Sequence, residues 1–259
     1  MTPTSGHGTR DGSARRNADA DWDRWPVRDY LAENYRQLHP SDEAVIRHHS
    51  AFYRRFRPDS IGRSLEFGAG PNLYPLMAAT AASRRIDAQE PSAANITYLT
   101  AQLSEGPDES WQVFYALCRS LNPALPKTLA EALTRVRVVP GGTRTEPRRT
   151  YELASMNFVA ESVTEDVGEF AELCRTFVHS VRPGGYLVAA FMENMPSYRI
   201  GAGSGGAVEW PACPVDAGTV RDVFAPLTES PRIMRVDKDR TLPDYGDTGM
   251  VLLRAVRRR

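Results

Sequence analysis

The chain has 259 residues, 41% hydrophobic and 25% charged, with 32 basic residues balancing 32 acidic ones. That length holds one full-size α/β domain with attachments, and the composition is that of an ordinary globular protein. Zero formal charge excludes a dedicated nucleic-acid binder, which carries a basic excess or stripe, and no apolar run approaches the roughly 20 residues of a membrane span.

Residues 1–21 are rich in Gly, Ser, Thr, Arg and Asp and lack the apolar core of a secretory signal. They are expected to form a disordered tail. Cys118, Cys174 and Cys213 are widely spaced with no CxxC pair, which disfavours disulfides and a thiolate zinc site and makes the cytoplasm the expected location. WPVRDYLAENYRQL and SDEAVIRHHSAFYRRF read as two helices within residues 22–60. In the second, Val45, His48, His49 and Phe52 recur at helical spacing, and Ser41 opens it as a cap. Adjacent residues on a helix point about 100° apart, so His48 and His49 make a poor chelate pair and no metal is expected.

From residue 61 the pattern alternates. Arg63 to Phe67 reads as a buried strand ending in a glycine loop, followed by a helix from Leu73 to about Ser83. Arg85 to Gln89 is a second strand and Pro91 to Leu103 a second helix. Residues 104–134 read as a helical insertion, expected to wall a pocket. Val136 to Val139 is a third strand, and PGGTRTEPRR is a loop by its proline, glycine and charge. TYELASMNFV is a fourth strand, Asp166 to Val181 an amphipathic helix, and RPGG a turn. YLVAAF is a fifth strand, apolar on both faces as a central parallel strand should be. IGAGSGGAVEW reads as a flexible surface loop, and MRVDKD with GMVLLRAV as an antiparallel end. Such alternation predicts a mostly parallel sheet covered on both faces, with a ligand site beyond the carboxyl ends of the strands. The loops after Phe67, Gln89, Val139, Met156 and Phe191 should converge there.

The stretch SLEFGAGPNLYPL is a nucleotide-binding turn with a glycine missing. A dinucleotide fingerprint is GxGxxG; Gly68 and Gly70 fit, but the third position is Leu73. The third glycine lets helix and strand pack closely under a pyrophosphate, so NAD and FAD are disfavoured. Glu90 ends the second strand about 20 residues on, the place of an acid that binds ribose hydroxyls. A nucleoside without pyrophosphate that carries a carboxylate, S-adenosylmethionine (SAM), satisfies each part. A purely structural glycine turn is the competing reading.

On WPVRDYLAENY, LEFGAGPNLYPLMAA, EPSAANITYL, VRPGGYLV and SYRIG the chain resembles class I SAM-dependent methyltransferases. Within them it is similar to the family of nicotinamide, phenylethanolamine and indolethylamine N-methyltransferases. The resemblance implies a Rossmann-like domain over residues 61–259, a seven-stranded mostly parallel sheet with helices on both faces, and an N-terminal helical lid. It implies that Tyr30 and Tyr35 close over the cofactor and that Gly68, Ala69, Gly70, Asn72 and Tyr74 line its methionine end. Glu90 would take the ribose with Asn95 nearby; Gly141, Gly142 and Met156 complete the expected cofactor set.

Trp25, Phe191, Met192, Tyr198 and Trp210 are the expected contacts to a small aromatic acceptor. Phe191 stands where relatives place an acid that grips the acceptor, which suits a flat, less polar ring. Some resembling proteins of actinobacterial secondary metabolism methylate carbon 3 of an indole and set up pyrroloindoline closure, and this chain is expected to be one. Glu193 is the first candidate to engage the indole N–H, followed by Glu33 and Glu161, with Tyr35 as a further catalytic candidate. N-methylation of a small amine and SAM binding without catalysis are the rival readings. The chain is expected to be a monomer or homodimer.

Overall fold

The computed structural model describes residues 14–142, 151–201 and 208–259. Five strands lie parallel: β1 (Ser64–Phe67), β2 (Ile86–Glu90), β3 (Val136–Pro140), β4 (Tyr151–Asn157) and β5 (Val181–Glu193). Two short strands, β6 (Tyr198–Arg199) and β7 (Glu209–Trp210), form a separate antiparallel pair. The antiparallel strands β8 (Thr228–Asp237) and β9 (Gly249–Arg257) finish the main sheet, whose order is β3-β2-β1-β4-β5-β9-β8. The chain runs outward from β1 to β3 and returns to β4 on the other side. The strand order therefore reverses between β1 and β4, and a crevice opens there at their carboxyl ends.

The helices are α1 (Val27–Asn34), α2 (Pro40–Tyr53), α3 (Tyr74–Ala79), α4 (Ala93–Ser104), α5 (Trp111–Leu121), α6 (Leu129–Leu133), α7 (Val167–Ser180) and α8 (Ala217–Phe224). Side chains alternate across a strand, and β5 shows the consequence. Val188 and Ala190 join the core under α2, α3, α5 and α6, whereas Leu187, Ala189 and Phe191 join the core under α7 and α8. The central residues of both cores lie at or near zero exposure.

Several elements differ from expectation for local reasons. The first helix stops at Asn34 because Tyr35 leaves helical geometry (φ −131°, ψ 19°), which turns its ring into the core. Helix α4 starts at Ala93, where the Ser92 hydroxyl caps the Asn95 amide. Arg182 to Gly185, expected as a turn, is taken into β5 beside a register shift between Tyr151 and Leu153. Helix α8 was not expected; Asp216 caps it through the Thr219 amide at 2.7 Å. Most of PGGTRTEPRR and of the IGAGSGGAVEW loop lies outside the described residues.

Residues 14–21, expected as tail, dock on the domain. Arg15 donates Nε and its amide to Glu165 at 2.8 and 2.9 Å, and Asn17–Asp19 forms a 3₁₀ turn. Helix α2 is core rather than cover, with Val45, Ile46 and Tyr53 fully buried. The insertion packs Trp111 and Phe114 behind Tyr35, with ring centroids 5.4 and 6.1 Å apart, and supplies no wall to the cavities described below. Among the described residues, no helix is long and apolar enough to cross a membrane.

Candidate active site

The loop from β1 to α3 is shaped by two glycines for two different reasons. Gly68 has φ +66°, and a Cβ there would meet Val159 Cγ1 at 2.7 Å. Gly70 has φ +56° with open space where its Cβ would be. Left-handed backbone favours glycine in both, but only Gly70 leaves a cradle for a ligand. Its amide does not point into that cradle: it donates to Glu90 Oε2 at 2.8 Å. Glu90 Oε1 accepts the Ser92 amide and Asn95 Nδ2, each at 3.0 Å. The expectation of free loop amides is thus corrected at Gly70, where the loop instead clamps a buried carboxylate.

A carboxylate offers about four acceptor positions. Three are filled, so Glu90 keeps capacity on Oε2 for a hydroxyl donor. Burial pushes its pKa up, against the lowering by Asn95, Ser92 and Gly70. Asn95 Oδ1 is buried without a partner among the described residues, a second acceptor waiting for a donor. These groups line a cleft with Gly68, Ala69, Asn72, Phe158 and Tyr198. Asn17 and Trp22 also line it. Sequence reasoning missed both by placing Asn17 in the tail; the aromatic pair in DWDRW was the available signal.

A second cavity adjoins the first. The two share Trp25, Tyr30, Phe158, Ser162 and Tyr198 as a common wall. Phe158 holds its ring there at φ +57°, backbone strain of the kind that concentrates at functional sites. The second cavity is otherwise aromatic and apolar, with Tyr35, Met192, Met195, Ile200, Leu242 and Tyr245. It also presents Asp42, Asp237, Asp239 and Asp247. Tyr245 comes from the β8–β9 loop and accepts Asn34 Nδ2 at 2.9 Å, tying that loop to α1.

The expected site residues divide between these cavities and the cores. Tyr30, Gly68, Ala69, Gly70, Asn72, Glu90 and Asn95 line the first; Trp25, Tyr35, Met192 and Tyr198 line the second, with Tyr30, Trp25 and Tyr198 on the shared wall. Tyr35 bridges Tyr30 at 3.2 Å and Asn72 at 3.1 Å. Burial pushes the Tyr30 phenol up to about 12 and raises Tyr35 well above the ordinary phenol value.

The remaining candidates sit elsewhere. Phe191 and Met156 face the core under α7 and α8, because each neighbours in its strand a residue that faces the cavities. Glu193 accepts Arg235 Nε at 2.8 Å and Thr248 Oγ1 at 2.6 Å and lines neither cavity. Glu33 accepts the Gly201 amide at 2.9 Å and the Tyr245 hydroxyl at 3.2 Å. Glu161 is fully buried and accepts the Met192 amide at 2.8 Å; burial pushes its pKa up to about 7. Tyr74 packs parallel to Phe114, and Trp210 stacks on Trp22 at 5.0 Å as backing for Trp25. Gly141 and Gly142 stand at the end of β3, where Gly142 O accepts Gln89 Nε2 at 3.0 Å.

No family model matches the sequence, and no curated protein matches it. Solved structures do resemble the fold. DhpI in complex with SAH aligns with a TM-score of 0.58 at 13% identity, covering 92% of this chain and 94% of that one. A SAM-dependent methyltransferase from Methanosarcina mazei aligns with a TM-score of 0.53 at 12% identity, over 86% and 99%. The N-methyltransferase NodS from Bradyrhizobium japonicum WM9, in complex with S-adenosyl-L-homocysteine (SAH), gives 0.50 at 13%, over 92% and 95%. Identities this low speak to architecture, and the strand order agrees with them: the chain has the Rossmann-like class I methyltransferase fold.

Proposed function

We propose that the chain is a SAM-dependent methyltransferase acting on a small aromatic acceptor. The observation that carries this reading is the pair of cavities with one common wall. One cavity holds a clamped carboxylate beside an open glycine cradle, and the other is aromatic. Glu90 and Asn95 would hold the ribose of SAM, with Gly70 and Asn72 near its amino-acid end. The acceptor atom we favour is carbon 3 of an indole in a tryptophan-derived compound, leading to a pyrroloindoline, on the aromatic side chains lining the second cavity. The carboxylates around that cavity favour a second reading, N-methylation of a small amine. A non-catalytic SAM binder would have no use for the second cavity.

SAM, when bound, supplies an electrophilic methyl group on a sulfonium. The residues of this chain have to align the acceptor with it and keep water out. Positioning contributes roughly 7–11 kcal/mol to lowering such a barrier, against roughly 3–5 kcal/mol from a general base. Trp25, Tyr30 and Tyr198 on the common wall would do the aligning. Held neutral by burial, Tyr30 and Tyr35 present π faces that favour a nearby cation by about 0.5–2 kcal/mol each. A reducing compartment such as the cytoplasm suits the three buried, free cysteines.

Incubation with methyl-labelled SAM and a panel of indole, tryptophan diketopiperazine and small amines tests the reading. Label on carbon 3 is expected. Label on nitrogen installs the second reading, and SAH binding with no transfer to any acceptor leaves a binding protein.

A further inference from the structure

Among the described residues, the acceptor cavity has four carboxylates on its wall and no lysine or arginine. They are held differently. Asp239 accepts the Ser41 and Thr241 amides at 3.0 and 2.8 Å. Asp247 lies 3.6 Å from Lys238 Nζ, and Asp237 lies 2.7 Å from Arg235 Nη1. Asp42 has neither an ion pair nor a short bond among the described residues. It is 6% exposed and accepts one long bond, 3.3 Å from the His39 amide, which closes the first turn of α2. Its other oxygen has no hydrogen bond among the described residues.

Of the groups facing Asp42, only the His39 amide favours its charged form. Those groups are Asp239 from the β8–β9 loop, the phenols Tyr30 and Tyr35 at α1, Tyr74 at the start of α3, and the His39 backbone. Burial pushes the Asp42 carboxyl up, the His39 amide lowers it, Asp239 raises it again, and it comes to about 7. A carboxylate in such a place is costly to ionise unless a ligand supplies a donor or a positive charge. A ligand bringing a second carboxylate would meet desolvated like charge.

We propose that Asp42 is the specificity-determining residue of the acceptor site. It selects an aromatic molecule bearing a cationic or N–H nitrogen and turns away one bearing a carboxylate. This rests on reading the second cavity as the acceptor site. Sequence reasoning missed Asp42 because it sits in a helix-opening SDEA, where an acid has a local explanation.

Tryptamine and indole-3-propionate share a ring and a two-carbon chain and differ in the sign of their charge. Both are titrated at pH 8 into SAH-loaded wild type and Asp42→Asn; asparagine keeps an oxygen for the His39 amide. The wild type is expected to bind tryptamine at least about tenfold more tightly. Asp42→Asn is expected to bring the two within about threefold while SAH affinity stays unchanged. Equal binding by the wild type overturns the proposal, and so does a preference that persists in Asp42→Asn. If the variant fails to bind SAH, the wild type decides from pH 5.5 to 8. The ratio must grow as the carboxyl ionises, and a flat ratio overturns the proposal. Absent SAH heat in the wild type removes the cofactor reading together with this one; SAH heat without a tryptamine preference removes this one alone.

Discussion

Met192 and Phe191 are neighbours in β5 with opposite fates: one lines the acceptor cavity, the other is sealed against Phe170 and Phe224. Met192→Trp should fill the cavity and weaken tryptamine binding at least about tenfold with SAH binding intact, whereas Phe191→Leu should cost roughly 1–2 kcal/mol of stability and leave tryptamine binding alone. Titration of both variants beside a thermal melt checks the pair. Glu90→Gln, which removes a charge-assisted acceptor, should weaken SAH binding by about ten- to a hundredfold; an unchanged Kd would free Glu90 of its proposed role. Glu90 was legible in the sequence because its spacing from Gly70 is local and fixed by one strand-helix-strand unit. The placement of Phe191 and Glu193 was not, since strand alternation fixes only relative facing. Which set faces the cavity depends on what packs above and below.

The pair β1 and β4 carries a buried acid that the cavities do not use. Glu66 is 1% exposed, accepts Asn157 Nδ2 at 2.9 Å and the Ser155 hydroxyl, and has its pKa pushed up to about 7 by burial, partly offset by those bonds. The folded state therefore holds the Glu66 proton more tightly than the unfolded state, whose pKa is near 4.5. This contribution is full below pH 4.5 and is lost as pH rises through 7. His48 and His49 on α2 act in the opposite sense. Burial lowers them to about 2 and about 4 from 6.5, so their contribution is present above pH 6.5 and falls away as the medium acidifies. Glu66→Gln should gain up to about 3 kcal/mol on the wild type at pH 8 relative to pH 4.5. Melting curves at both pH values check it, and an equal offset at the two would contradict it. At this scale the five parallel strands and the antiparallel end were readable from apolar runs bounded by turns. Helix α8 was not: AGTVRDVF is short, and its glycine falls in the first turn, so its apolar spacing is brief.

The site as a whole is closed by three pieces far apart in the chain. Residues 14–25 run from α7 to α4: the Asn17 amide donates to Glu169 at 3.0 Å, Ser92 Oγ donates to Trp22 O at 2.8 Å and the Ala93 amide to Asp23 at 2.7 Å. Helix α1 carries Tyr30, and the β8–β9 loop brings Tyr245 and Asp239. The order of strands and the place of the crevice follow from alternating elements, so they were legible. Helix α1 with Tyr30 was legible as a lid; residues 14–21 and the β8–β9 loop were not, because polar segments reveal their docking only once the surface they dock on exists. A chain beginning at Pro26 should fold with its sheet intact by circular dichroism yet bind SAH at least about tenfold more weakly. Everything functional rests on the first cavity being built for SAM. Isothermal titration of folded protein with SAH tests that most directly: one molecule bound per chain is the expected result, and a flat trace from a sample whose circular dichroism and cooperative melt show it folded would contradict it.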